Sequence, residues 1–244
     1  TGQVRTILTE QDSTWVDVVD EITWLDHGKS FAWLSERDGW RHVYMISRDG
    51  KTVRLLTPGD YDVVSIERID DKNGWMYFIA SPSNATQRYL YRVSLTKPGK
   101  PTLLTPASAP GTHSYQLSPN AAYAIHTFSS FANPSTIDII QLPGNTSVRV
   151  LQDNKQLRDK VNALQRGEAS FFKVKTAENV ELDGWRMLPP NFDPTKRYPV
   201  LIHVYGEPAA QTVVDRWGGT GYLWHLMLTQ QGYIVMSLDN RGTP

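Results

Sequence analysis

The 244-residue sequence contains no cysteine. Disulfides, thiolate metal sites and cysteine nucleophiles are therefore excluded, while the redox compartment stays open. Net charge is lacking as well. Lysine plus arginine and aspartate plus glutamate each total 25, so no basic field gathers nucleic acid or anionic lipid and no acidic tail is present. No run approaches the roughly eighteen uninterrupted apolar residues of a membrane-spanning helix, and the first residues do not have the charged-then-apolar order of a signal peptide. His-Glu-x-x-His, a phosphate-binding glycine loop and a dinucleotide fingerprint are also missing, so neither a metal nor a cofactor is expected.

What is present is globular in balance, 40% hydrophobic and 20% charged, with eight tryptophans and eleven tyrosines. Such a length allows one large or two ordinary domains, and two are preferred. Asn84-Ala85-Thr86 and Asn145-Thr146-Ser147 fit the N-glycosylation pattern, which recurs by chance too often to carry weight.

The first two thirds repeat. Val4-Arg5-Thr6-Ile7-Leu8-Thr9, Val53-Arg54-Leu55-Leu56-Thr57, Thr102-Leu103-Leu104-Thr105 and Val148-Arg149-Val150-Leu151-Gln152 recur, with Thr9, Thr57, Thr105 and Gln152 spaced by 48, 48 and 47 residues. A period this long indicates a propeller or solenoid. Within each repeat, short alternating strands are broken by turn residues, as in Asp26-His27-Gly28, Arg37-Asp38-Gly39 and Arg48-Asp49-Gly50. Four strands in about 48 residues make one propeller blade. Three blades are expected, with strands beginning near Ile22, Val63 and Ser114, and residues 1–9 are expected to supply only the last strand of an earlier blade. Further blades are then expected before Thr1. Asp70-Asp71-Lys72-Asn73-Gly74 lacks the alternating ligands of a calcium loop and is expected to be a hairpin turn.

After Leu151 the period changes. Leu157, Val161 and Leu164 predict a connecting helix of about three turns, capped by Asp153 or Asn154 and ended by Gly167. A hairpin of Ser170–Lys175 and Val180–Leu188 follows. Val200–Tyr205 reads as a strand buried on both faces, Tyr222–Gln231 as a helix and Tyr233–Leu238 as a second buried strand, a βαβ-like crossover. The expected division is 1–152 for the C-terminal part of a β-propeller, 153–169 for the connecting helix and 170–244 for the beginning of an α/β domain.

In open α/β sheets the reactive groups gather at the carboxyl ends of strands, here Tyr205-Gly206-Glu207-Pro208 and Asp239-Asn240-Arg241-Gly242. On spacing alone these are ordinary turn segments. Lys196-Arg197-Tyr198-Pro199-Val200-Leu201-Ile202-His203-Val204-Tyr205-Gly206-Glu207-Pro208, however, resembles the segment of the prolyl oligopeptidase family that leads into its oxyanion tyrosine. Leu188-Pro189-Pro190-Asn191-Phe192-Asp193 and Ser237-Leu238-Asp239-Asn240-Arg241-Gly242 resemble the flanking segments. Ser35-Glu36-Arg37-Asp38-Gly39-Trp40-Arg41-His42-Val43-Tyr44 and Val150-Leu151-Gln152-Asp153-Asn154 are similar to the propeller and linker of its dipeptidyl peptidase IV branch.

This resemblance implies a β-propeller followed by the opening of an α/β-hydrolase domain. The implied activity is serine exopeptidase release of N-terminal dipeptides, after proline or alanine, by acyl transfer. Tyr205 would donate its phenolic hydroxyl to the oxyanion, and Pro208 would lie near the penultimate residue of the peptide. Glu207 stands where relatives often carry a small residue and is read as a solvated loop carboxylate. No Gly-x-Ser-x-Gly elbow occurs, and Ser237 lies within a strand without flanking glycines, so the nucleophile and the aspartate and histidine that follow it are expected beyond Pro244. His203 and His225 are read as structural. The family's paired glutamates for the substrate amino terminus belong to an earlier blade, and Trp15 is assigned no contact. Implied partners are peptides with a free N-terminus, with a homodimer as the full-length form. Neither nucleic acid nor membrane contact is expected of this segment, and a periplasmic or secreted setting is favoured over a cytoplasmic one. The alternatives are a non-catalytic propeller that binds other proteins, a pseudoenzyme, and an oligopeptidase or acylaminoacyl peptidase of the same family.

Overall fold

A computed structural model describes residues 2–20, 22–97, 99–205 and 210–243. Three four-stranded antiparallel sheets come first, each in simple chain order. The first holds β1 (Thr23–Leu25), β2 (Ser30–Ser35), β3 (His42–Ser47) and β4 (Val53–Leu55), and the second β5 (Val63–Asp70), β6 (Trp75–Ala80), β7 (Tyr89–Ser94) and β8 (Thr102–Leu103). The third holds β9 (Thr112–Leu117), β10 (Tyr123–Ser130), β11 (Asn133–Gln141) and β12 (Thr146–Gln152). Each sheet matches one repeat, giving a propeller-like array.

The alternation of a strand explains how the sheets stack. In β6 the side chains of Met76, Phe78 and Ala80 join Leu25, Ala32, Val43 and Leu56 of the first repeat in one core. Tyr77 and Ile79 point the other way, into a core with Tyr115, Ala124 and Ile140 of the third sheet. Because successive side chains point to opposite faces, a strand packed on both sides reads as a continuous apolar run. Polar side chains reinforce the stack: the Arg41 guanidinium donates to the carbonyls of Val63 and Val64 at 2.8 Å, and that of Arg68 to Pro119 O, also at 2.8 Å. The 70–74 segment is the hairpin turn between β5 and β6, with Asp70 Oδ2 accepting from Asn73 Nδ2 at 2.7 Å.

The extra strand expected over residues 1–9 is not formed over the described residues 2–9. Residues 2–20 have no regular secondary structure. Strands need a backbone partner, and this segment is instead laid against the first sheet by side chains. Ile7 and Leu8 pack on Phe31, Tyr44 and Ile46, and Glu10 accepts from Trp33 Nε1 (3.1 Å), Ser35 Oγ (2.9 Å) and the Arg37 guanidinium.

A mixed sheet in the order β13-β14-β16-β15 follows α1 (Lys155–Asn162). Its strands are β13 (Ala169–Lys175), β14 (Glu181–Met187), β15 (Val200–His203) and β16 (Ile234–Leu238), with α2 (Gly219–Gln230) between the last two. β15 and β16 pair in parallel and β14 and β16 antiparallel, so β15-α2-β16 is the expected crossover. Three expectations are corrected. α1 is shorter than three turns, because the Ala163 and Leu164 N–H groups already close it onto Asp159 O and Val161 O. Gly167 plays another part: a Cβ there would overlap the carbonyl oxygens of Leu188 and Pro189. β15 is also not buried on both faces. It lies at the sheet edge with Val200 and Ile202 51% and 59% exposed, since an apolar run does not distinguish an edge from a centre.

Phe131, at the β10–β11 turn, joins the array to this sheet. Its ring lies 5.6 Å from Phe171, 5.2 Å from Trp185 and 5.7 Å from Tyr222, within the core formed by Val161, Met187, Val213, Leu226 and Val235.

Candidate active-site region

Tyr205 stands two residues beyond the end of β15, half-exposed. Pro208 and Glu207 lie outside the described residues. The ground under Tyr205 is set by hydrogen bonds. Ser237 is fully buried and donates to His203 O at 2.7 Å, which pins the last residue of β15. Thr212 Oγ1 lies 2.8 Å from the same Ser237 Oγ.

Asp239, just past the end of β16 and 8% exposed, organises the chain returning from the Tyr205 loop. Its Oδ1 accepts the Thr212 N–H (2.8 Å) and hydroxyl (2.7 Å), and its Oδ2 the Val213 N–H (3.0 Å). Trp185 Nε1 donates to Thr212 O at 3.2 Å. The Tyr205 loop is therefore staked before it by Ser237 and after it by Asp239. Neither residue was assigned this part by the sequence, although Asp239 stands where a strand-end carboxylate meets a returning chain, which is the usable signal.

Ser237 has no access to a substrate and is already donating to a carbonyl, as its position within a strand suggests. His203 and His225 lie with rings 5.4 Å apart, and His225 is 5.3 Å from Trp185. Burial, together with the neighbouring His203, holds His225 below the ordinary imidazole range. Trp15 is 76% exposed and its indole N–H donates to Asp17 Oδ1 at 2.8 Å. Among the described residues no group of three histidine or carboxylate side chains is arranged to hold a metal ion.

A cavity of about 640 Å³ opens between the 81–88 loop and the β13–β14 hairpin, with Trp40, Asp62, Arg88, Phe171, Lys173 and Asp183 among its walls. Arg88 and Lys173 are the cations in this wall, and burial pulls Arg88 down to about 10, which leaves it charged at neutral pH. Its guanidinium donates to Ala85 O and Gln87 O at 2.7 Å and to Gln211 Oε1. The described lining does not include Tyr205.

Repeated antiparallel sheets docked through Phe131 and the 211–217 segment onto a mixed α/β unit define the class: a propeller-like repeat protein joined to an α/β unit. The family model for the dipeptidyl peptidase IV (DPP IV) N-terminal region matches residues 1–135. That is more than half of the chain, and the chain belongs to the dipeptidyl peptidase IV family. It is similar to dipeptidyl peptidase 4 of Trichophyton rubrum, 29% identical over 244 residues, covering 97% of this chain and 31% of the relative. Dipeptidyl peptidase 4 of Arthroderma otae is 27% identical over 243 residues, again covering 97% and 31%. The crystal structure of Porphyromonas gingivalis dipeptidyl peptidase 4 superposes with a TM-score of 0.81 at 32% identity, covering 91% of this chain and 30% of that one. The chain thus spans about a third of the length of the relatives it matches.

Proposed function

We propose that this chain is a segment of a serine exopeptidase that removes dipeptides from peptide N-termini, after proline or alanine, by acyl transfer. Residues 1–152 form the C-terminal part of a β-propeller, 153–169 the connecting helix, and 170–244 the start of an α/β-hydrolase domain. Peptides with a free amino terminus are the substrates, and the full-length protein is a homodimer.

The observation that carries the reading is Tyr205, on a loop at the carboxyl end of a strand paired in parallel with β16 and staked on both sides by buried side chains. Ligands of open α/β sheets collect at that end of the strands. A phenol suits an oxyanion hole because it is a neutral donor at working pH and its ring fixes the direction of the O–H bond. When a serine attacks the scissile carbonyl, the negative charge that develops on the oxygen is met by the Tyr205 hydroxyl together with a backbone N–H next to the nucleophile. Pro208 would pack beside the penultimate side chain. These 244 residues carry no Gly-x-Ser-x-Gly elbow, so alone they turn over no peptide.

The test is Tyr205→Phe in the full-length protein, assayed with a Gly-Pro chromogenic substrate. The expected loss in kcat is about a hundredfold to a thousandfold. Unchanged kcat overturns the oxyanion assignment; a full-length protein without turnover leaves only a binding scaffold, and internal cleavage of longer peptides makes it an oligopeptidase.

A further inference from the structure

The strap that follows the Tyr205 loop, residues 210–217 up to α2, has no regular secondary structure. Its path is fixed by hydrogen bonds, and these divide by direction. Thr212 and Val213 are held by Asp239 of the mixed sheet. Gln211, Asp215 and Trp217 reach the other way, to the propeller-like array.

Asp215 makes four of these contacts. Its N–H donates to Thr86 O at 2.6 Å, and its carbonyl accepts from Thr112 Oγ1 at 2.8 Å. Its Oδ1 accepts the Phe131 N–H at 2.8 Å, and its Oδ2 accepts from Gln87 Nε2 at 3.0 Å. One residue thereby grips three separate places: the β6–β7 connection, the start of β9 and the β10–β11 turn. Gln211 adds its own pair, donating to Ala85 O at 3.0 Å and accepting from the Arg88 guanidinium. Trp217 N–H donates to Ser129 Oγ at 3.2 Å.

Phe131 and its aromatic neighbours already supply apolar adhesion between the two parts. Apolar contact is non-directional, whereas a carboxylate with each oxygen matched to an N–H donor fixes orientation as well as distance. The β6–β7 connection that holds Asp215 also walls the 640 Å³ cavity. Gln211 stands six residues after Tyr205, so the strap is the nearest described point at which the array can act on that loop from its downstream side.

We propose that Asp215 is a positioning residue: through it and the strap, the propeller-like array sets where the Tyr205 hydroxyl stands. The proposal rests on the oxyanion role of Tyr205. A displacement of about 1 Å at a reacting centre costs up to about a hundredfold in rate, so a latch of this kind shows in kcat rather than in KM.

The test is a double-mutant cycle in the full-length protein with the Gly-Pro chromogenic substrate. Tyr205→Phe is expected to lower kcat about a hundredfold, and Asp215→Ala about tenfold with KM little changed. If Asp215 acts through the Tyr205 hydroxyl, the double variant is no slower than Tyr205→Phe alone. Should Asp215→Ala fail to fold, Thr112→Val, which removes only the bond to the Asp215 carbonyl, replaces it in the cycle with a loss of about threefold expected. Losses that multiply in the double variant, or an Asp215 or Thr112 variant as fast as the parent, overturn the latch while leaving Tyr205 intact. An unaffected Tyr205→Phe variant, or a parent without turnover, removes the oxyanion role and the latch together.

Discussion

The hydroxyl of Thr57 accepts the backbone N–H of Val43 at 2.9 Å, and both residues are fully buried. The same bond recurs in the next repeat, where Thr105 Oγ1 accepts the Leu90 N–H at 2.8 Å. In each case the fourth strand has already left the ladder, and the threonine supplies the acceptor that the third strand would otherwise lack. Thr57→Val keeps the shape and strands a buried donor, which costs about 1–3 kcal/mol. Denaturant unfolding of the full-length protein should show that loss for Thr57→Val and for Thr105→Val. An unchanged midpoint would mean that the hydroxyl is dispensable.

Asp239 gives a second prediction, with consequences on both stability and activity. Asn in its place offers one oxygen and turns an amide donor toward either Thr212 or Val213, where N–H groups already point. At a buried site this costs about 2–4 kcal/mol. The strap should loosen before the sheet melts, so hydrogen exchange at Thr212 and Val213 should quicken more than at β14 in Asp239→Asn. Equal change at both would assign Asp239 a general structural role instead.

Two histidines of the third sheet set a pH dependence. His113 Nε2 lies 2.8 Å from Ala109 O and its Nδ1 2.9 Å from His126 Nε2, while His126 Nδ1 lies 2.9 Å from Asp138. Burial pushes His113 from 6.5 down to about 4, and it lowers His126 too, against the pull of Asp138. Between about pH 6.5 and 4 the unfolded chain therefore binds a proton at His113 that the folded chain does not. Stability from His113 is complete above the unfolded value and is lost as pH falls through this window, by about 3 kcal/mol at most. Melting temperatures measured from pH 8 to 4 should drop over the lower half of that range. A His113 imidazole resonance titrating near its ordinary value would contradict the assignment.

These residues also show what the sequence could and could not reveal. Thr57 and Thr105 stood out because a propeller-like array imposes the same local geometry every repeat, and that geometry leaves a period in the sequence. Thr9 and Gln152 carry the period without the buried bond: the first lies in an irregular segment, and Gln152 is exposed and donates to Asn154 Oδ1 at 2.8 Å. Local pattern therefore outran local structure at both ends of the array. Tyr205 was singled out by resemblance alone, and its role is a proposal. Asp215 was not singled out, because its partners Thr86, Gln87, Thr112 and Phe131 lie from 84 to 129 positions away in the chain, and no periodicity couples residues across that distance. The edge position of β15 was hidden for a similar reason, since strand order is a property of the sheet and not of the strand.

That edge supports a last prediction. Val200, Ile202 and Val204 alternate along one side of the chain and are 51%, 59% and 63% exposed, and Val150 on β12 is 61% exposed. An exposed apolar strand edge offers unpaired N–H and C=O groups next to surface that gains by leaving water, so a second molecule can add to it. The 244-residue chain expressed alone should therefore self-associate in sedimentation velocity. Ile202→Lys combined with Val150→Lys should shift it toward monomer, because a lysine at an edge is costly to bury against another copy. In the full-length protein the reading proposed above covers β15 with further sheet, so Ile202→Lys there should lower the melting temperature instead of improving solubility. The opposite sign in the two settings is the discriminating result: if the substitution is harmless in the full-length protein, β15 remains a free edge there and the sheet does not extend past it.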